Sequence, residues 1–433
     1  MRKRHRGLTA FAVMMLSIGL WSAPAVAADP EYAPLDRPGP ELTVPEADLA
    51  ASLKCTGDFT SDLKPVLFVP PTGATPDQTF EWNYGKVFRD EGRSYCTVTL
   101  PLQALGDIQT SAEYITYGIR ETYETAGRKI AVLGHSQGGM SPRWSLRFWP
   151  DTRTMVDEQI GMGAPHNGTA LIDPLCSEVY TCSEAVWQQR STSNFVAALN
   201  AGPQTFEGID YTSVYSLTDE VVAPPEQMSS LTTGEGRISN VATQDVCDPL
   251  PTQYLYEHLA VGTVDPVAYA VVMDALDNDG PADPGRIDPL STCLDVVMPG
   301  LTSDEALEAL SVLAALPHVL SVPLPLNFAG APAATEEPAL RCYVFADGCP
   351  ESEEPAEETP DDDADGATVQ AATSSAGETS RGLGGGGGVA GAASDALPST
   401  GAPLTLTLAL AAAAALAVGV QCWSAGRLLG RRT

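Results

Sequence analysis

The motif that most limits what this chain can fold into is the pentapeptide GHSQG at residues 134–138, which fits the pattern GxSxG. The pattern alone is a weak signal, because it can arise by chance in a chain of this length. Its context is more specific: residues 129–133 have the apolar pattern of a buried strand, and residues 138–148 can form a helix. The outer glycines permit the strained turn that lifts a serine hydroxyl out of a sheet. This context predicts a nucleophile elbow at Ser136, with an ordinary glycine-rich turn as the alternative.

The surrounding sequence alternates between strand and helix patterns. Short apolar runs typical of buried strands occur at residues 66–69, 129–133, 156–162, 211–216 and 239–242. Helical patterns occur at residues 112–126, at 265–276, and from the capping box of Thr302 and Glu305 through residue 315. This alternation predicts an α/β fold in which helices flank a mostly parallel central sheet. The nucleophile elbow at Ser136 is typical of the α/β-hydrolase fold within that class.

A serine nucleophile needs a general base, and in this fold the order along the chain is serine, acid, histidine. Two histidines, His258 and His318, follow the candidate acids. His258 is predicted in a loop just before a helix, where its imidazole can reach Ser136. His318 ends an apolar helix and is interpreted as structural. We therefore assign the base to His258.

Asp219 is the favoured acid because it is the first acidic residue after a predicted strand, at the sheet edge where functional groups gather. Glu220 and Glu257 remain alternatives on spacing alone. In this scheme Ser136 attacks an ester carbonyl, and His258 accepts its proton and returns it to the leaving alcohol. Asp219 holds the imidazole in the required tautomer.

Negative charge that develops on the carbonyl oxygen requires N–H donors that are already in place. The backbone N–H of Gln137, directly after the nucleophile, is expected to be one donor. The other is expected in the loop after the strand at 66–69. Thr72 is the natural donor there, because Pro71 has no N–H.

Residues 1–27 have the layout of a secretory signal peptide, with a basic start, an apolar run and the small-residue end Ala25-Val26-Ala27. A short core helix is the alternative, but it would not carry the basic start or the small-residue end. The mature chain is expected to begin near Ala28, outside the cytoplasm.

Residues 397–433 resemble the sorting signal of Gram-positive surface proteins. An LPSTG motif at 397–401 is followed by an apolar run at 403–423 and a basic tail. The resemblance implies that a sortase cleaves between Thr400 and Gly401 and joins Thr400 to peptidoglycan, after transient membrane contact through the apolar run. A permanent C-terminal membrane helix is the alternative, because about 20 apolar residues can span a bilayer.

Composition divides the remaining chain. Residues 350–396 contain an acidic run and a glycine run, so they are predicted to be a disordered, wall-spanning linker. Residues 28–349 are left as one catalytic domain. The full chain has 24 Lys and Arg against 55 Asp and Glu, a formal net charge of −31. This charge disfavours nucleic acid as a partner and favours neutral substrates.

Eight of the nine cysteines lie in the predicted catalytic domain. An even number of cysteines in an oxidising compartment suggests disulfides. A zinc site is the alternative, but no Cys-x-x-Cys pair and no histidine at ligand spacing accompany them, so we expect no metal.

Five stretches together resemble the Candida antarctica lipase B-like family of the α/β-hydrolase superfamily, over about residues 55–342. They are VLFVP and TG within 66–73, SQGG at 136–139, AVWQQ at 185–189, YSLTDE at 215–220 and EH at 257–258. The resemblance implies a hydrolase of triacylglycerols and other esters that needs no cofactor. It also implies Ser136, Asp219 and His258 as the triad. Thr72 and Gln137 would form the oxyanion hole, with the Thr72 hydroxyl as a candidate third donor.

The same resemblance implies three disulfides. Cys176 and Cys182 have no counterpart in the family and are expected to form a fourth. The bridge between them would constrain the segment before Trp187, where the family has its short lid, and would limit lid motion. The four expected pairs are Cys55–Cys96, Cys247–Cys293, Cys342–Cys349 and Cys176–Cys182.

Three residues are candidates for the substrate pocket: His166, Trp187 and Gln189. His166 replaces an aspartate of the family, and a structural role is its alternative. Pro71 replaces a glycine of the family, so the oxyanion loop is expected to be stiffer.

These features favour a wall-anchored, extracellular lipase that cleaves carboxylic esters through an acyl-enzyme. A short-chain carboxylesterase or a polyester hydrolase is the alternative within the same chemistry. A surface adhesin on a hydrolase scaffold is the alternative from another class, and the intact triad disfavours it.

Overall fold

The computed structural model describes residues 31–176, 181–247, 256–314 and 333–349. The chain divides into two units, Met1–Ala356 and Glu357–Thr433, and every described residue belongs to the first. Several sequence predictions lie outside the described residues: the signal peptide at 1–27, His318, the linker at 350–396, and the sorting signal at 397–433 with Thr400 and Gly401.

The described residues form nine strands in two sheets. The strands are β1 (Leu53–Thr56), β2 (Val66–Val69), β3 (Tyr95–Val98), β4 (Ile130–His135), β5 (Val156–Met162), β6 (Cys182–Ser183), β7 (Asp210–Tyr215), β8 (Arg237–Ala242) and β9 (Ala333–Ala334). The larger sheet has the order β1-β3-β2-β4-β5-β7-β8. Only the β1–β3 pair in this sheet is antiparallel, which confirms the mostly parallel sheet.

Helices cover both faces of this sheet. The α-helices are α1 (Glu46–Ser52), α2 (Pro76–Thr79), α3 (Tyr84–Glu91), α4 (Ile108–Ala126), α5 (Gln137–Met140), α6 (Pro142–Phe148), α7 (Glu184–Gln188), α8 (Asn194–Leu199), α9 (Pro225–Ser229), α10 (Thr243–Val246), α11 (Glu257–Val261), α12 (Pro266–Asp277), α13 (Pro289–Thr292) and α14 (Ser303–Ala314). Short 3₁₀ turns occur at Pro101–Ala104, Pro150–Thr154, Pro284–Arg286 and Cys342–Val344.

Side chains of the central strands alternate between two apolar clusters, one on each face of the sheet. In β2, Val66 and Phe68 belong to the cluster that includes apolar residues of α12, whereas Leu67 and Val69 belong to the one that includes residues of α4. Because a strand directs successive side chains to opposite faces, both faces of β2 are buried. This packing explains why the central strands are continuous apolar runs in the sequence.

The segment Glu257–Asp277, which contains α11 and α12, is long and apolar enough to cross a membrane, and 83% of its most apolar window is buried inside the structure. Residues of α12 belong to the main core cluster. Packing in the protein interior therefore accounts for the apolar character of this segment.

The predicted strands and helices match the structure best where a contiguous run of residues has a clear apolar pattern. Strands β2 and β5 have the predicted bounds, and β4, β7 and β8 are shifted by one or two residues. The helix predicted at 138–148 is two helices, α5 and α6, which meet at Ser141 before Pro142. Proline cannot donate the backbone hydrogen bond that would continue α5, which explains the division.

Four disulfides are present, with the pairs expected from the sequence: Cys55–Cys96, Cys176–Cys182, Cys247–Cys293 and Cys342–Cys349. The first joins β1 to β3 directly across the antiparallel pair. All eight cysteines of the described residues are therefore engaged in disulfides.

Candidate active site

Ser136 lies at the sharp turn between β4 and α5. Its backbone has φ 54° and ψ −127°, a conformation that is strained for a residue with a side chain. A Cβ added at Gly134 would lie 1.9 Å from the carbonyl oxygen of Gly138, and one at Gly138 would lie 2.1 Å from that of Val69. The glycine spacing of GxSxG therefore follows from close backbone packing around the elbow.

Ser136, His258 and Asp219 form one hydrogen-bonded chain at the carboxyl ends of the parallel strands. The Nε2 atom of His258 lies 2.9 Å from Oγ of Ser136, and its Nδ1 atom lies 2.7 Å from Oδ2 of Asp219. Because a carboxylate only accepts, Nδ1 carries the proton and Nε2 is free to accept one from the serine. All three side chains are buried, which strengthens these bonds.

Asp219 is held as a carboxylate by its surroundings. Its Oδ1 atom accepts the backbone N–H groups of Val221 and Val222, each at 2.8 Å. Burial by itself would raise the pKa of Asp219, but the charge and hydrogen bond of His258, with these two N–H groups, outweigh burial and lower it. Asp219 therefore stays ionised and orients the imidazole.

The other acids near His258 have different partners. Glu220 accepts the backbone N–H of His258 at 3.2 Å, and Glu257 accepts the Ser216 hydroxyl at 2.9 Å. Burial by itself would lower the pKa of His258, but the charge and hydrogen bond of Asp219 and the charge of Glu220 outweigh burial and raise it. Of the three candidate acids, Asp219 is the one bonded to the Nδ1 atom.

His258 lies in a helix, so the loop predicted around it is wrong. It is the second residue of α11, which is only five residues long. So short a helix gives no periodic signal in the sequence and depends on tertiary packing for its stability. The imidazole thus reaches Ser136 from a helical position rather than from a mobile loop.

Thr72 and Gln137 meet beside the nucleophile. The Thr72 hydroxyl donates to Oε1 of Gln137 at 2.6 Å, and Nε2 of Gln189 donates to Oγ1 of Thr72 at 3.0 Å and to Oε1 of Gln137 at 3.2 Å. Within the described parts of the chain, the backbone hydrogen bonds of loops, turns and caps do not use the N–H of Thr72 or of Gln137. Both N–H groups are therefore available to an oxyanion.

The other two pocket candidates pack inside the protein. The Nε1 atom of Trp187 donates to the carbonyl oxygen of Ala334 at 3.0 Å, and its ring belongs to the cluster that contains Cys176 and Cys182. His166 is fully buried, and its Nε2 atom lies 3.1 Å from where a Cβ on Gly161 would be. Gln189 is thus the candidate that contacts the oxyanion residues.

Sequence reasoning missed His135, which occupies a variable position of the GxSxG pattern. Its Nε2 atom lies 2.9 Å from the backbone carbonyl oxygen of His258, and the two imidazole rings are 5.1 Å apart. A polar residue at the end of an otherwise apolar strand was the available signal. His135 links the nucleophile elbow to the helix that carries the base.

The chain is similar in sequence and structure to known α/β proteins, including two lipases. The profile of the family described as "PGAP1-like alpha/beta domain" matches residues 102–245. Lipase B of Pseudozyma antarctica is 36% identical over 217 residues, which are 49% of this chain and 62% of that protein. The crystal structure of Aspergillus fumigatus lipase B superposes with a TM-score of 0.64 at 28% identity, covering 73% of this chain and 77% of that chain.

The match to the Pseudozyma antarctica protein spans less than two thirds of its length. The family profile includes Ser136 and Asp219 but ends before His258. The parallel sheet, the elbow and the superposition together show that this chain has the α/β-hydrolase fold, as its sequence predicted.

Proposed function

We propose that this protein is an extracellular serine hydrolase that cleaves carboxylic esters of lipids. The observation that carries the proposal is the unbroken hydrogen-bonded chain from Ser136 through His258 to Asp219, with distances of 2.9 and 2.7 Å. A fold alone does not determine a reaction. The similarity to two proteins named lipase B supports lipid esters among the substrates that a serine triad can attack.

Acylation begins when Oγ of Ser136 attacks the ester carbonyl carbon and Nε2 of His258 takes the hydroxyl proton. Collapse of the tetrahedral intermediate breaks the bond between the carbonyl carbon and the alcohol oxygen. His258 returns the proton to that oxygen, and the alcohol leaves. The acyl group remains on Ser136 as an ester.

Deacylation repeats these steps with water as the nucleophile. His258 accepts a proton from the water, whose oxygen forms a bond with the acyl carbon. The bond to Ser136 then breaks, and the proton returns to the serine oxygen. The products are a carboxylic acid and the free enzyme, and no cofactor takes part.

The oxyanion of both intermediates is stabilised by the N–H groups of Thr72 and Gln137. One preformed donor of this kind contributes about 10²- to 10³-fold to kcat. The Thr72 hydroxyl is the candidate third donor, and it can turn from Oε1 of Gln137 toward the oxyanion.

The net charge of −31 favours neutral esters. A strongly acidic surface repels anionic membranes and disfavours retention of a fatty acid anion at the site. Triacylglycerols and uncharged synthetic esters are therefore the substrates to test first.

Turnover of a series of p-nitrophenyl esters, from short to long acyl chains, tests the reaction. We expect hydrolysis that extends to long chains, loss of this activity in Ser136→Ala, and retention in Ser303→Ala, which changes an exposed serine on α14. A sharp preference for short chains would instead favour the carboxylesterase alternative. Absence of any turnover by the unmodified protein would refute the enzyme and favour the adhesin.

The location is part of the same proposal. A signal peptide at 1–27 exports the chain, and a sortase cleaves after Thr400 and attaches it to peptidoglycan in a Gram-positive cell wall. The layouts of the two terminal segments support this location, and the disulfides suit an oxidising compartment.

Fractionation of a producing cell tests the anchor. We expect a peptidoglycan hydrolase to release the protein with wall fragments attached, and detergent alone to leave it on the cells. Extraction by detergent alone would show a permanent membrane helix instead. If a sortase cleaves after Thr400, replacing Thr400 with alanine should abolish wall attachment.

A further inference from the structure

A cavity of about 340 Å³ lies between the N-terminal segment and the C-terminal end of the described residues. Its volume is in the range of sites for small ligands. None of its lining residues belongs to the triad or to the oxyanion pair. The cavity is thus separate from the proposed reaction site.

Arg147 lines this cavity and carries a charge without a counterion. Arg147 is 4% exposed. Its Nε and Nη1 atoms are buried and have no hydrogen-bond partner in the described part of the chain. Burial and the charge of Arg153 lower its pKa to about 10, so the guanidinium stays protonated at neutral pH. A buried charge without a counterion is unfavourable, so an anion bound next to the guanidinium would be stabilised by its charge.

Arg143, on the same helix, shows the contrast. It is equally buried, but each of its three guanidinium nitrogens has an acceptor: the carbonyl oxygens of Gln204 and His166 and the side-chain oxygen of Asn200. Within the described residues, the guanidinium of Arg147 has no such acceptors at Nε and Nη1 and lies 5.1 Å from the centroid of the Phe148 ring instead.

Arg37 adds a second positive charge to the same lining. Its guanidinium donates to the carbonyl oxygens of Phe345 and Ala346, which are neutral acceptors and leave its charge uncompensated. Among the described residues, neither Arg37 nor Arg147 forms an ion pair with a carboxylate, whereas Arg341 pairs with Glu113. Two cations without a carboxylate partner in the described part of the chain therefore line the same cavity.

The rest of the lining is largely apolar and includes Pro34, Pro38 and Phe148. Phosphate or another small inorganic anion would gain nothing from such walls. We propose that this cavity binds a small amphipathic carboxylate, with its head group on Arg147 and Arg37 and its alkyl part against the prolines and Phe148. The proposal does not depend on the reaction at Ser136, although that reaction would release ligands of this class.

Calorimetric titration of the full chain with octanoate tests this site. We expect saturable binding that Arg147→Met weakens roughly 10- to 100-fold, the range for loss of a charged hydrogen-bond partner. Arg120→Met, which removes an arginine paired with Asp151 at the surface, should leave this binding unchanged. Octanol, which has the alkyl chain without the charge, and inorganic phosphate should each bind much more weakly than octanoate.

Octanoate that binds at the triad would still bind to Arg147→Met, so undiminished binding by that variant would overturn the proposal. Absence of saturable binding, or phosphate binding as tight as that of octanoate, would overturn it too. If circular dichroism shows that Arg147→Met does not fold, Arg37→Met replaces it, because Arg37 is only half-buried. We expect this variant to bind octanoate more weakly as well. Because the measurement is of binding, its outcome is independent of ester hydrolysis.

Discussion

The Nε2 atom of His135 donates a hydrogen bond of 2.9 Å to the backbone carbonyl oxygen of His258. His135, which directly precedes Ser136, therefore fixes the position of the His258 backbone. Burial, with a smaller effect of the charge of His258, lowers the pKa of His135 to about 3, so it is neutral during catalysis. A Cβ at Gly262 would lie 2.2 Å from the His135 ring, which shows how closely this contact is packed.

We predict that His135→Phe lowers kcat about 3- to 10-fold, the equivalent of one hydrogen bond, because the helix carrying His258 loses its tether. His135→Gln keeps an N–H donor at this position and should recover part of the loss. Steady-state kinetics of both variants would measure this. Equal losses in the two would show that the ring contributes only packing.

The pH profile should report the environment of His258. The neutral imidazole is the base, so kcat/KM falls as pH drops through its pKa, which lies above the usual value of about 6.5. We predict that Glu220→Gln lowers this pKa, because it removes a negative charge, and so moves the acid limb to lower pH. Glu226→Gln, at an exposed position of α9, should leave the limb in place. An unmoved limb in Glu220→Gln would contradict this account.

The central strands and the nucleophile could be predicted because their signals are local. Residues 129–138 contain the strand, the glycines and Ser136 in one contiguous run. Strands β1 and β3 were missed because neither is a continuous apolar run: β1 contains Lys54 and Thr56, and β3 contains Thr97. Their pairing joins segments about 40 residues apart, which no local pattern reveals.

The contacts that complete the site are also non-local. Gln189 was expected near the pocket only through a resemblance to known lipases, and its hydrogen bonds to Thr72 and Gln137 join three separate segments of the chain. The bond between His135 and His258 spans 123 residues. Such partners are determined by how the loops pack above the sheet, which spacing along the chain does not encode.

Stability should depend on Glu158, a buried residue of β5. Its side chain contacts Nζ of Lys64 at 3.2 Å and the hydroxyl of Thr212 at 3.0 Å, but burial outweighs both and raises its pKa to about 8. An unfolded glutamate ionises near about pH 4.3. Between these values the folded protein holds a proton that the unfolded chain has lost, so the free energy of unfolding decreases as pH rises.

We predict that Glu158→Gln reduces this decrease by more than about 1 kcal/mol between about pH 5 and pH 8, because the amide does not ionise. Urea denaturation at several pH values would measure it. Glu124→Gln, at an exposed position of α4, should retain the pH dependence of the unmodified protein. The same slope in both variants would show that Glu158 ionises normally.

The Thr72 hydroxyl is a candidate oxyanion donor that can be removed without changing the backbone. Gln189 donates to Oγ1 of Thr72 and leaves the hydroxyl proton free to point either to Oε1 of Gln137, as here, or to an oxyanion. Thr72→Val keeps the shape and the backbone N–H but removes this donor. We expect kcat to fall about 10- to 100-fold with KM little changed, because the lost interaction exists only in the transition state. Thr72→Ser should retain most of the activity.

The partnership of Thr72 with Gln189 can be separated from a general packing effect by a double-mutant cycle. If Gln189 acts by positioning the hydroxyl, Gln189→Leu should lower kcat in the unmodified background and have little further effect in Thr72→Val. Losses that add in the double variant would mean that Gln189 acts independently of Thr72. The hydrogen bond between Gln189 and Thr72 exists in the resting structure, so part of the coupling should appear in the free energy of unfolding. If Gln189 positions the hydroxyl for the oxyanion, the coupling measured in kcat should be larger than that part.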